Sequence, residues 1–464
     1  MAELRYGAFN GRTASEEEIL AFARKLRGKS LREVLPASGR MMESSAGDKG
    51  RVGQLVERAF GLPRSSEQGP DFTHSGIELK AVPLKRSSRS VRAKERTSVT
   101  MIDYDALVDE TWQKAKVRQK LHKILFVFFF HLDAGHPLDT VIEEVVLWTP
   151  PQDLVPQLET DWSAVQQKVL DGLAHEISEG DGRVLGAATK GAGRGQLVRQ
   201  PKSSVRARPR VWALKPSLTT WLWERERLGN REVVDLRSAL KLTAKQSFEE
   251  VVIQRLDGYR GRTLAGISEA LGVPLSRAKS GAAVLVRRAI GVLDDRAAIR
   301  EFKERGIQVK IVPISPAGRP YEAMSFPKFN HMEVWKEEWD ESEFLQHLSR
   351  LLIVPLIREK RSSPKETQLW GSAFFWSPSP TELAGIEDEW RMYAKLIEDG
   401  KANDLPGSGE TRFIHVRPHG RDGSDTEEAP RVGHVVKKCF WLNTDFVARL
   451  VQENHGAGVS PRRS

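Results

Sequence analysis

The strongest constraint on how this chain can fold is an internal repeat that spans nearly its whole length. The segment Gly76–Pro83, which reads GIELKAVP, returns at Gly306–Pro313 as GIQVKIVP, a displacement of 230 residues. The same displacement aligns Leu55–Gly61 with Leu285–Gly291 without a gap. Self-similarity at a fixed displacement indicates a structural unit that occurs more than once. We therefore expect the two halves to be copies of one fold.

Later segments keep the same order along the chain. Leu147–Pro150 matches Phe375–Pro378, and Asp161–Trp162 matches Glu389–Trp390, in both cases displaced by 228 residues. Because order and spacing hold over so long a stretch, the similarity indicates duplication rather than chance.

The length also predicts two domains, since 464 residues exceed what one ordinary hydrophobic core holds. We place the first copy at residues 1–222, a linker at 223–240 and the second copy at 241–464. Strand-like runs alternate with helical stretches in each copy, which predicts a mixed α/β fold. The longest apolar run, Ile124–Phe130, is too short to span a bilayer and is predicted to be a buried central strand.

Composition limits the function class. Lys and Arg together number 72 against 62 Asp and Glu, and this positive excess suits a polyanionic partner. The single cysteine, Cys439, excludes an intramolecular disulfide and a cysteine-based zinc site. The N-terminal residues contain no apolar run behind a basic start, so we expect no signal peptide and a cytoplasmic protein.

The residues that carry chemistry have the pattern Asp71-x6-Glu78-x-Lys80. Side chains alternate along a strand, so Glu78 and Lys80 share a face, and Asp71 can reach it from the preceding hairpin arm. Two carboxylates can hold Mg²⁺, which activates water, while a lysine stabilises charge on a phosphate. The alternative interpretation is that Glu78 and Lys80 form the solvated face of an edge strand.

Several segments around this pattern resemble one family of nucleases. They are Asp48–Glu57, Pro70–Phe72, Gly76–Lys80 and Leu147–Pro150. Together they resemble the signature of the MutH mismatch-repair endonucleases and of the related restriction enzymes that cut at GATC. The resemblance covers essentially residues 1–222.

The resemblance implies a PD-(D/E)xK fold, in which helices flank a mixed central sheet. It also implies that Asp71, Glu78 and Lys80 are catalytic, with Asp71 and Glu78 as ligands of Mg²⁺. Glu57, on the flanking helix, is implied as an additional active-site carboxylate. A further family lysine, which precedes the central strand, maps near His122, with Lys120 and Lys123 adjacent.

The family also has a lysine in a loop that reads bases in the major groove, and Thr189, Lys190 and Gly191 occupy that place. A lysine contact to guanine is physically sensible. The family's Arg-Pro before this lysine is Ala188-Thr189 here, and a tyrosine associated with recognition falls on Ala213. GATC is the target that the resemblance implies. Basic residues suited to phosphates, or simply to a solvated loop, are Lys190, Arg194, Arg199, Lys202, Arg206, Arg208 and Arg210.

The repeat gives each site residue of the first copy a counterpart in the second. The counterparts of Asp71, Glu78, Glu57 and Lys80 are Glu301, Gln308, Arg287 and Lys310. A site in which Gln and Arg replace carboxylates binds Mg²⁺ poorly. We therefore expect a catalytically degenerate second copy.

The second copy nevertheless keeps Arg417, Pro418 and His419 in its recognition segment, which predicts retained contact with DNA. The larger restriction-enzyme relatives are similar in this respect, and their second copy is thought to bind a further DNA site. Two segments are predicted to be poorly ordered: Lys85–Thr97, which is dense in Arg, Lys and Ser, and Gly420–Pro430.

These patterns predict a type II restriction endonuclease that makes Mg²⁺-dependent double-strand cuts, with the second copy as an allosteric domain. We expect double-stranded DNA as the partner, at two sites per protein, with a monomer in solution and a dimer on DNA. A mismatch-repair-type nickase is one alternative, although that family member is a single copy. A catalytically silent DNA-binding regulator is the other, and the intact Asp71, Glu78 and Lys80 argue against it.

Overall fold

The computed structural model describes residues 9–35, 50–62, 69–86, 90–132, 134–189, 197–227, 233–243, 246–276 and 281–454. Lys190 and Gly191 of the predicted recognition loop lie outside these ranges. The chain separates into two compact units, Met1–Gly229 and Asn230–Ser464. None of the described helices is long and apolar enough to cross a membrane.

The first unit mixes helices and strands. Its helices are α1 (Glu16–Leu26), α2 (Leu31–Val34), α3 (Arg51–Ala59), α4 (Tyr104–Leu107), α5 (Lys116–Leu121), α6 (Val155–Leu170) and α7 (Pro216–Arg227). Its strands are β1 (Glu78–Arg86), β2 (Val91–Ala93), β3 (Thr97–Met101), β4 (Ile124–Phe130), β5 (Ile142–Trp148), β6 (Leu185–Thr189), β7 (Val198–Gln200), β8 (Ser203–Ala207) and β9 (Arg210–Leu214).

The main sheet of this unit has the order β2-β1-β4-β5, in which β1 and β4 run parallel and β5 is antiparallel to β4. Strand β4 is the predicted central strand, and this prediction is confirmed by its burial on both faces. Phe126 and Phe128 pack with residues of α6 and α7 on one face. Leu125 and Val127 pack with residues of α1 and α3 on the other. Helices therefore cover both faces, which explains why β4 is apolar at every position.

A second sheet, β3-β9-β6, and a two-stranded ribbon, β7-β8, complete the unit. Asp161 ties this sheet to α6, the helix that packs on the main sheet. Its buried carboxylate accepts the backbone N–H groups of Arg183 at 2.9 Å, Val184 at 2.7 Å and Leu185 at 2.9 Å, where β6 begins. Burial raises the pKa of Asp161, against the effect of these hydrogen bonds.

The second unit has its own helices and strands. Its helices are α8 (Leu236–Ala239), α9 (Phe248–Asp257), α10 (Leu264–Leu271), α11 (Gly281–Ala289), α12 (Arg300–Glu304), α13 (Glu343–Leu348), α14 (Pro380–Glu398) and α15 (Thr444–Asn454). Its strands are β10 (Val233–Val234), β11 (Ala298–Ile299), β12 (Ile307–Ile314), β13 (Met324–Lys328), β14 (Arg350–Ile357), β15 (Leu369–Trp370), β16 (Phe374–Trp376), β17 (Ile414–Pro418), β18 (Thr426–Ala429), β19 (Gly433–Val436) and β20 (Lys438–Leu442). Residues 223–240, predicted as a linker, thus include the end of α7, β10 and α8.

The strand pairing of the first unit recurs in the second. Strands β12 and β14 run parallel, β15 and β16 pair antiparallel with β14, and β13-β20-β17 forms the second sheet. Glu389 on α14 accepts the N–H groups of Arg412 at 2.6 Å and Ile414 at 2.7 Å, as Asp161 does at the start of β6. The mixed α/β class is confirmed, and the structure repeats as the sequence does.

An ion pair at the edge of the main sheet also repeats. Lys123, directly before β4, pairs with Glu16 of α1 at 2.5 Å. Arg350, the first residue of β14, pairs with Glu249 of α9. In each unit a helix from the N-terminal part is therefore tied to the start of the central strand.

Within Lys85–Thr97, predicted to be poorly ordered, the described residues include β2, which pairs with the end of β1, so that prediction is wrong there. The prediction that Gly420–Pro430 is poorly ordered is also wrong. Strands β18 and β19 pair antiparallel through this region and form a ribbon that corresponds to β7-β8. The reason is a set of ion pairs to residues about 100 positions away in sequence, described below, which composition alone does not reveal.

Candidate active site

The start of β1 carries the predicted carboxylate and lysine. The Glu78 backbone N–H donates to the carbonyl of Lys123 at 2.9 Å. This bond fixes Glu78 where the parallel pair β1-β4 begins. Lys80 Nζ lies 2.7 Å from Glu78 Oε1, so the two side chains share a face, as strand alternation predicts. Glu78 is 0% exposed, which argues against the interpretation that it lies on a solvated strand face.

Asp71 reaches the same place through a tight hairpin. The Phe72 N–H donates to the Ile77 carbonyl at 2.9 Å, and Gly76 takes a φ of +69°, which a residue without Cβ adopts readily. Asp71 Oδ2 then accepts the backbone N–H of Leu79 at 2.9 Å. The first carboxylate is thus held beside the backbone that joins Glu78 to Lys80.

A second lysine completes the surroundings of Glu78. Lys120 Nζ, from α5, donates to Glu78 Oε1 at 3.0 Å and to Oε2 at 3.1 Å. A buried carboxylate is unfavourable unless it is paired, and two ammonium groups compensate this one. The sequence indicated a family lysine only near His122, and the structure identifies Lys120 as the residue that contacts Glu78. Lys123 instead pairs with Glu16.

Glu57 lies on α3, whose buried residues Leu55, Val56 and Ala59 pack in the same core as Leu79. Its side chain is partly exposed. Within the described ranges no three or more His, Cys, Asp or Glu side chains are grouped closely enough to hold a metal ion. The structure therefore brings Asp71 and Glu78 to the start of β1, and among the described residues Glu57 does not complete a three-carboxylate cluster with them.

Asp71 and Glu78 nevertheless fit a magnesium ion. Mg²⁺ is usually bound by one or two carboxylates, with water and substrate phosphate supplying the other oxygens. Asp71 uses Oδ2 for the Leu79 N–H, and in the described part of the chain its Oδ1 has no hydrogen-bond donor. The donor set is all oxygen, which suits a hard cation.

The counterpart of Asp71 in the second unit has a structural role. Glu301 is 0% exposed, and its carboxylate accepts the backbone N–H groups of Leu236 at 3.0 Å and Arg237 at 2.7 Å at the start of α8. Burial raises the pKa of Glu301. This carboxylate caps a helix and is not directed at a metal site.

The other counterparts are also engaged within the protein. Lys310 Nζ donates to the Ser325 carbonyl at 2.6 Å and lies 4.1 Å from the centroid of the Phe326 ring. Burial lowers the pKa of Lys310 to about 8. The Arg287 guanidinium donates to the carbonyls of Asp294 and Ala297 at 3.0 and 2.6 Å.

The predicted DNA-binding residues of the first unit that the structure describes lie at its second sheet and ribbon. Thr189 is exposed at the end of β6. Arg199 and Lys202 are exposed on the β7-β8 ribbon. Gln200 between them is buried and anchors the ribbon, because its Oε1 accepts the Ala174 N–H at 2.9 Å.

The predicted residues of the second unit, Arg417 and His419, are exposed at the end of β17. Both contact Trp441 of β20. The Arg417 guanidinium lies 4.0 Å from a ring centroid of Trp441, and the His419 ring packs edge-on at 5.2 Å. Two potential DNA contacts are thus set on one aromatic side chain, which sequence reasoning did not single out.

Comparison with known proteins agrees with this architecture. The family described as DNA mismatch repair enzyme MutH matches residues 60–161 and, separately, residues 294–389. The type II restriction enzyme Sau3AI of Staphylococcus aureus is 25% identical over 466 residues, which cover 89% of this chain and 94% of that enzyme.

The DNA mismatch repair protein MutH of Actinobacillus pleuropneumoniae serotype 3 is 31% identical over 215 residues, covering 44% of this chain and 91% of that protein. MutH of Vibrio cholerae serotype O1 is 28% identical over 216 residues, covering 46% of this chain and 96% of that protein. The mismatch repair proteins are thus covered almost whole by less than half of this chain, whereas the restriction enzyme is covered by both units. The family matches each unit once, and in the first unit two lysines surround a buried carboxylate. This chain therefore belongs to the MutH family and is a site-specific DNA endonuclease.

Proposed function

We propose that the first unit is a PD-(D/E)xK nuclease that hydrolyses DNA phosphodiester bonds with Mg²⁺. The observation that carries this proposal is the position of Glu78, buried between Lys80 and Lys120 and next to the backbone that Asp71 holds. Such a hydrolysis needs carboxylates and lysines at one point, and these four residues meet at the start of β1.

Asp71 and Glu78 would hold the Mg²⁺, with Glu57 as a further carboxylate from α3. When bound, the metal supplies Lewis-acid stabilisation and lowers the pKa of bound water. Lys80 and Lys120 place two ammonium groups at the same point, where negative charge develops on the phosphate in the transition state. Asp71 also fixes the backbone at Leu79, so it orients the strand that presents Glu78 and Lys80.

We propose GATC as the target and double-strand cleavage as the outcome. The support is the resemblance of residues 1–222 to enzymes that cut at GATC, and coverage of a type II restriction enzyme along both units. Thr189, Lys190 and Gly191 would read bases, and Arg199 and Lys202 would contact phosphates. Cutting both strands would require a dimer on DNA, formed from a protein that is monomeric in solution.

The second unit would be an effector that binds another duplex without cutting it. Its counterparts of Asp71 and Glu78 are Glu301, which caps α8, and the uncharged Gln308. Its Arg417 and His419 remain exposed. Occupancy of this unit would favour the active arrangement of the first, because a ligand shifts an equilibrium only through different affinities for the two states.

A plasmid assay tests the proposal. Incubation with Mg²⁺ should linearise a plasmid that carries GATC, whereas EDTA, or a plasmid without GATC, should give no product. Mapping of the ends identifies the cut. Open circles without linear product would indicate a nickase. Binding without any cleavage in Mg²⁺ would indicate the silent regulator and would overturn the proposal.

A further inference from the structure

The ribbons of the two units occupy corresponding places but differ in charge. Each ribbon lies between the second and third strands of its second sheet in chain order, that is, between β6 and β9 and between β17 and β20. Residues 190–210 of the first unit contain seven Lys or Arg and no Asp or Glu. The corresponding residues 419–438 contain four Lys or Arg and four Asp or Glu.

In the first unit the ribbon cations face solvent. Arg199, Lys202 and Arg206 are exposed, and across the described ranges none of them forms an ion pair with a carboxylate. Buried Gln200 fastens β7 to the body of the unit through Ala174. A fixed ribbon with unpaired cations is suited to DNA phosphates, and such contacts make affinity strongly dependent on salt.

In the second unit two lysines, Lys437 at the end of the ribbon and Lys328 on β13, are paired within the protein. Asp425, at the start of the ribbon, accepts Lys437 Nζ at 2.6 Å, Lys328 Nζ at 2.9 Å and the backbone N–H of Arg421 at 2.9 Å. These contacts, which we call the Asp425 clamp, hold the pKa of Asp425 well below its usual range, with the Lys437 bond as the largest cause. Because the clamp pairs Lys328 and Lys437 with Asp425, these two lysines are not available to DNA phosphates.

A second contact fastens the same ribbon. His331, 0% exposed and three residues beyond β13, donates from Nδ1 to Glu427 Oε1 at 2.5 Å. The ribbon is therefore ordered by acidic residues whose partners lie on a different part of the unit. Asp425 and Glu427 therefore attach the ribbon to the rest of the unit.

Beside this ribbon, whose charges balance, two exposed side chains are suited to base edges. Arg417 is stacked on Trp441, and His419 packs against the same ring. Below them, buried His415 donates from Nδ1 to Asn443 Oδ1 at 2.5 Å and lies nearly parallel to Trp441. A guanidinium held on an aromatic face keeps its N–H edge available, and this edge matches the O6 and N7 acceptors of guanine.

We infer that the two units hold duplex DNA by different physical means: the first mainly through phosphates, the second mainly through base edges, with the Asp425 clamp keeping two lysines off the DNA. This inference rests on the proposed function of the second unit as a DNA-binding effector. The logarithm of affinity falls with the logarithm of salt concentration by about 0.9 per phosphate contact. Three ribbon cations would give the first unit a slope of about −3 or steeper, and the second unit a clearly shallower one.

The test uses the full chain in EDTA with a short labelled GATC duplex. Calorimetry gives the number of duplexes per chain, and anisotropy titrations across a KCl series give a slope for each binding event. The triple variant Arg199→Ala, Lys202→Ala, Arg206→Ala identifies which binding event belongs to the first unit. It should make the salt slope of that event shallower by about 3. Trp441→Ala should weaken the other event at least tenfold with little change in its slope, whereas Trp441→Phe should retain most of the affinity.

Variants of the Asp425 clamp test the inference by comparing two substitutions that remove the same charge. Asp425→Asn frees Lys328 and Lys437, so the second-unit slope should steepen by up to about 2. Glu428→Gln removes the same charge from the exposed side of β18, where the described structure gives it no ion pair, and should leave the slope unchanged. Lys437→Gln removes one lysine of the clamp and keeps Asp425. It should leave the second-unit slope unchanged, because Lys437 does not contact DNA phosphate.

The outcomes distinguish failure of the effector function from failure of this inference. One duplex per chain would overturn the effector function and this inference with it. Two duplexes with equal slopes, or a Lys437→Gln variant that flattens the slope as a phosphate contact would, overturn this inference alone. Equal effects of Asp425→Asn and Glu428→Gln would likewise reject the clamp.

Discussion

Lys120 donates hydrogen bonds to both carboxylate oxygens of Glu78, at 3.0 and 3.1 Å. The two residues are 42 positions apart and meet because α5 ends just before β4, the parallel neighbour of β1. Lys80 approaches the same carboxylate from within β1. The charge of Glu78 is therefore balanced by one lysine from β1 and one from α5, and each lysine can be substituted separately.

Lys120→Ala should lower kcat by about 100-fold, the scale of losing one donor to charge that develops in the transition state. KM for a GATC duplex should change much less, since the residue contacts Glu78 and not an exposed phosphate-binding surface. Steady-state kinetics on a one-site duplex measures both. Lys123→Ala is the matched control, because this neighbouring lysine pairs with Glu16. Equal losses in the two variants would show that Lys120 has no specific role.

The repeat provides matched positions for testing the metal ligands. Asp71→Ala, Glu78→Ala and Lys80→Ala should each abolish Mg²⁺-dependent cleavage, while duplex binding in EDTA persists. Gln308→Ala changes the position that corresponds to Glu78 and should leave cleavage of short one-site duplexes intact. Gel assays of cleavage and anisotropy titrations of binding separate the two effects. A loss in Gln308→Ala as large as in Glu78→Ala would mean that the second unit is catalytic.

Much of the architecture could be predicted because it depends on local pattern. The apolar run at β4 predicted a strand buried on both faces, and the alternation Glu78-x-Lys80 predicted a shared face. The repeat predicted that strand pairing would recur. In these cases the period of the side chains alone determines which face they occupy.

The parts that could not be predicted depend on contacts between distant segments. The sequence placed a family lysine near His122, with Lys120 and Lys123 adjacent, and only the packing of α5 decides that Lys120 faces Glu78. Glu301 was expected merely as an altered ligand, yet it caps α8, 65 residues earlier in the chain. The order of the β18-β19 ribbon follows from ion pairs between Asp425 and Lys328, and between Glu427 and His331, which composition does not encode.

Base recognition in the first unit is tested at Lys190, which precedes the ribbon. Lys190→Ala should reduce discrimination between GATC and single-base variants by about 1–3 kcal/mol, the scale of a good base contact. Nonspecific binding should weaken less. Cleavage rates on a panel of variant duplexes measure this, with Lys202→Ala as the control for lost positive charge. An unchanged ranking of sites would place recognition elsewhere.

The lowered pKa of Lys310 predicts a pH dependence of stability. Burial lowers this pKa to about 8 from its usual value of 10.5, so between these values the unfolded chain binds a proton that the folded chain does not. Stability should then rise with pH across this window, by up to about 3 kcal/mol. The increment should disappear in Lys310→Met and persist in the exposed-lysine control Lys360→Met. Urea unfolding at pH 7.5 and pH 10 gives the difference, and an identical pH response of wild type and Lys310→Met would contradict it.

Stimulation by a second site is expected of a unit in which Glu301 and Gln308 replace Asp71 and Glu78 while Arg417 and His419 stay exposed. If this unit binds DNA without cutting it, a plasmid with two GATC sites should be cut faster than a plasmid with one. Added short GATC duplex should accelerate the one-site plasmid, because it occupies the second unit in trans. Equal affinity for the active and inactive arrangements would produce no acceleration at any duplex concentration, so the effect measures coupling and not binding alone.

The variants Arg417→Ala and His419→Ala should bring the ratio of two-site to one-site rates toward one, because both side chains rest on Trp441 at the same surface. Arg421→Ala, an exposed arginine whose guanidinium pairs with Asp422, is the control for charge and should keep the ratio. A duplex without GATC should fail to stimulate, since the coupling requires base readout. If one-site and two-site plasmids are cut at equal rates and added duplex has no effect, the second unit is a structural or dimerising domain.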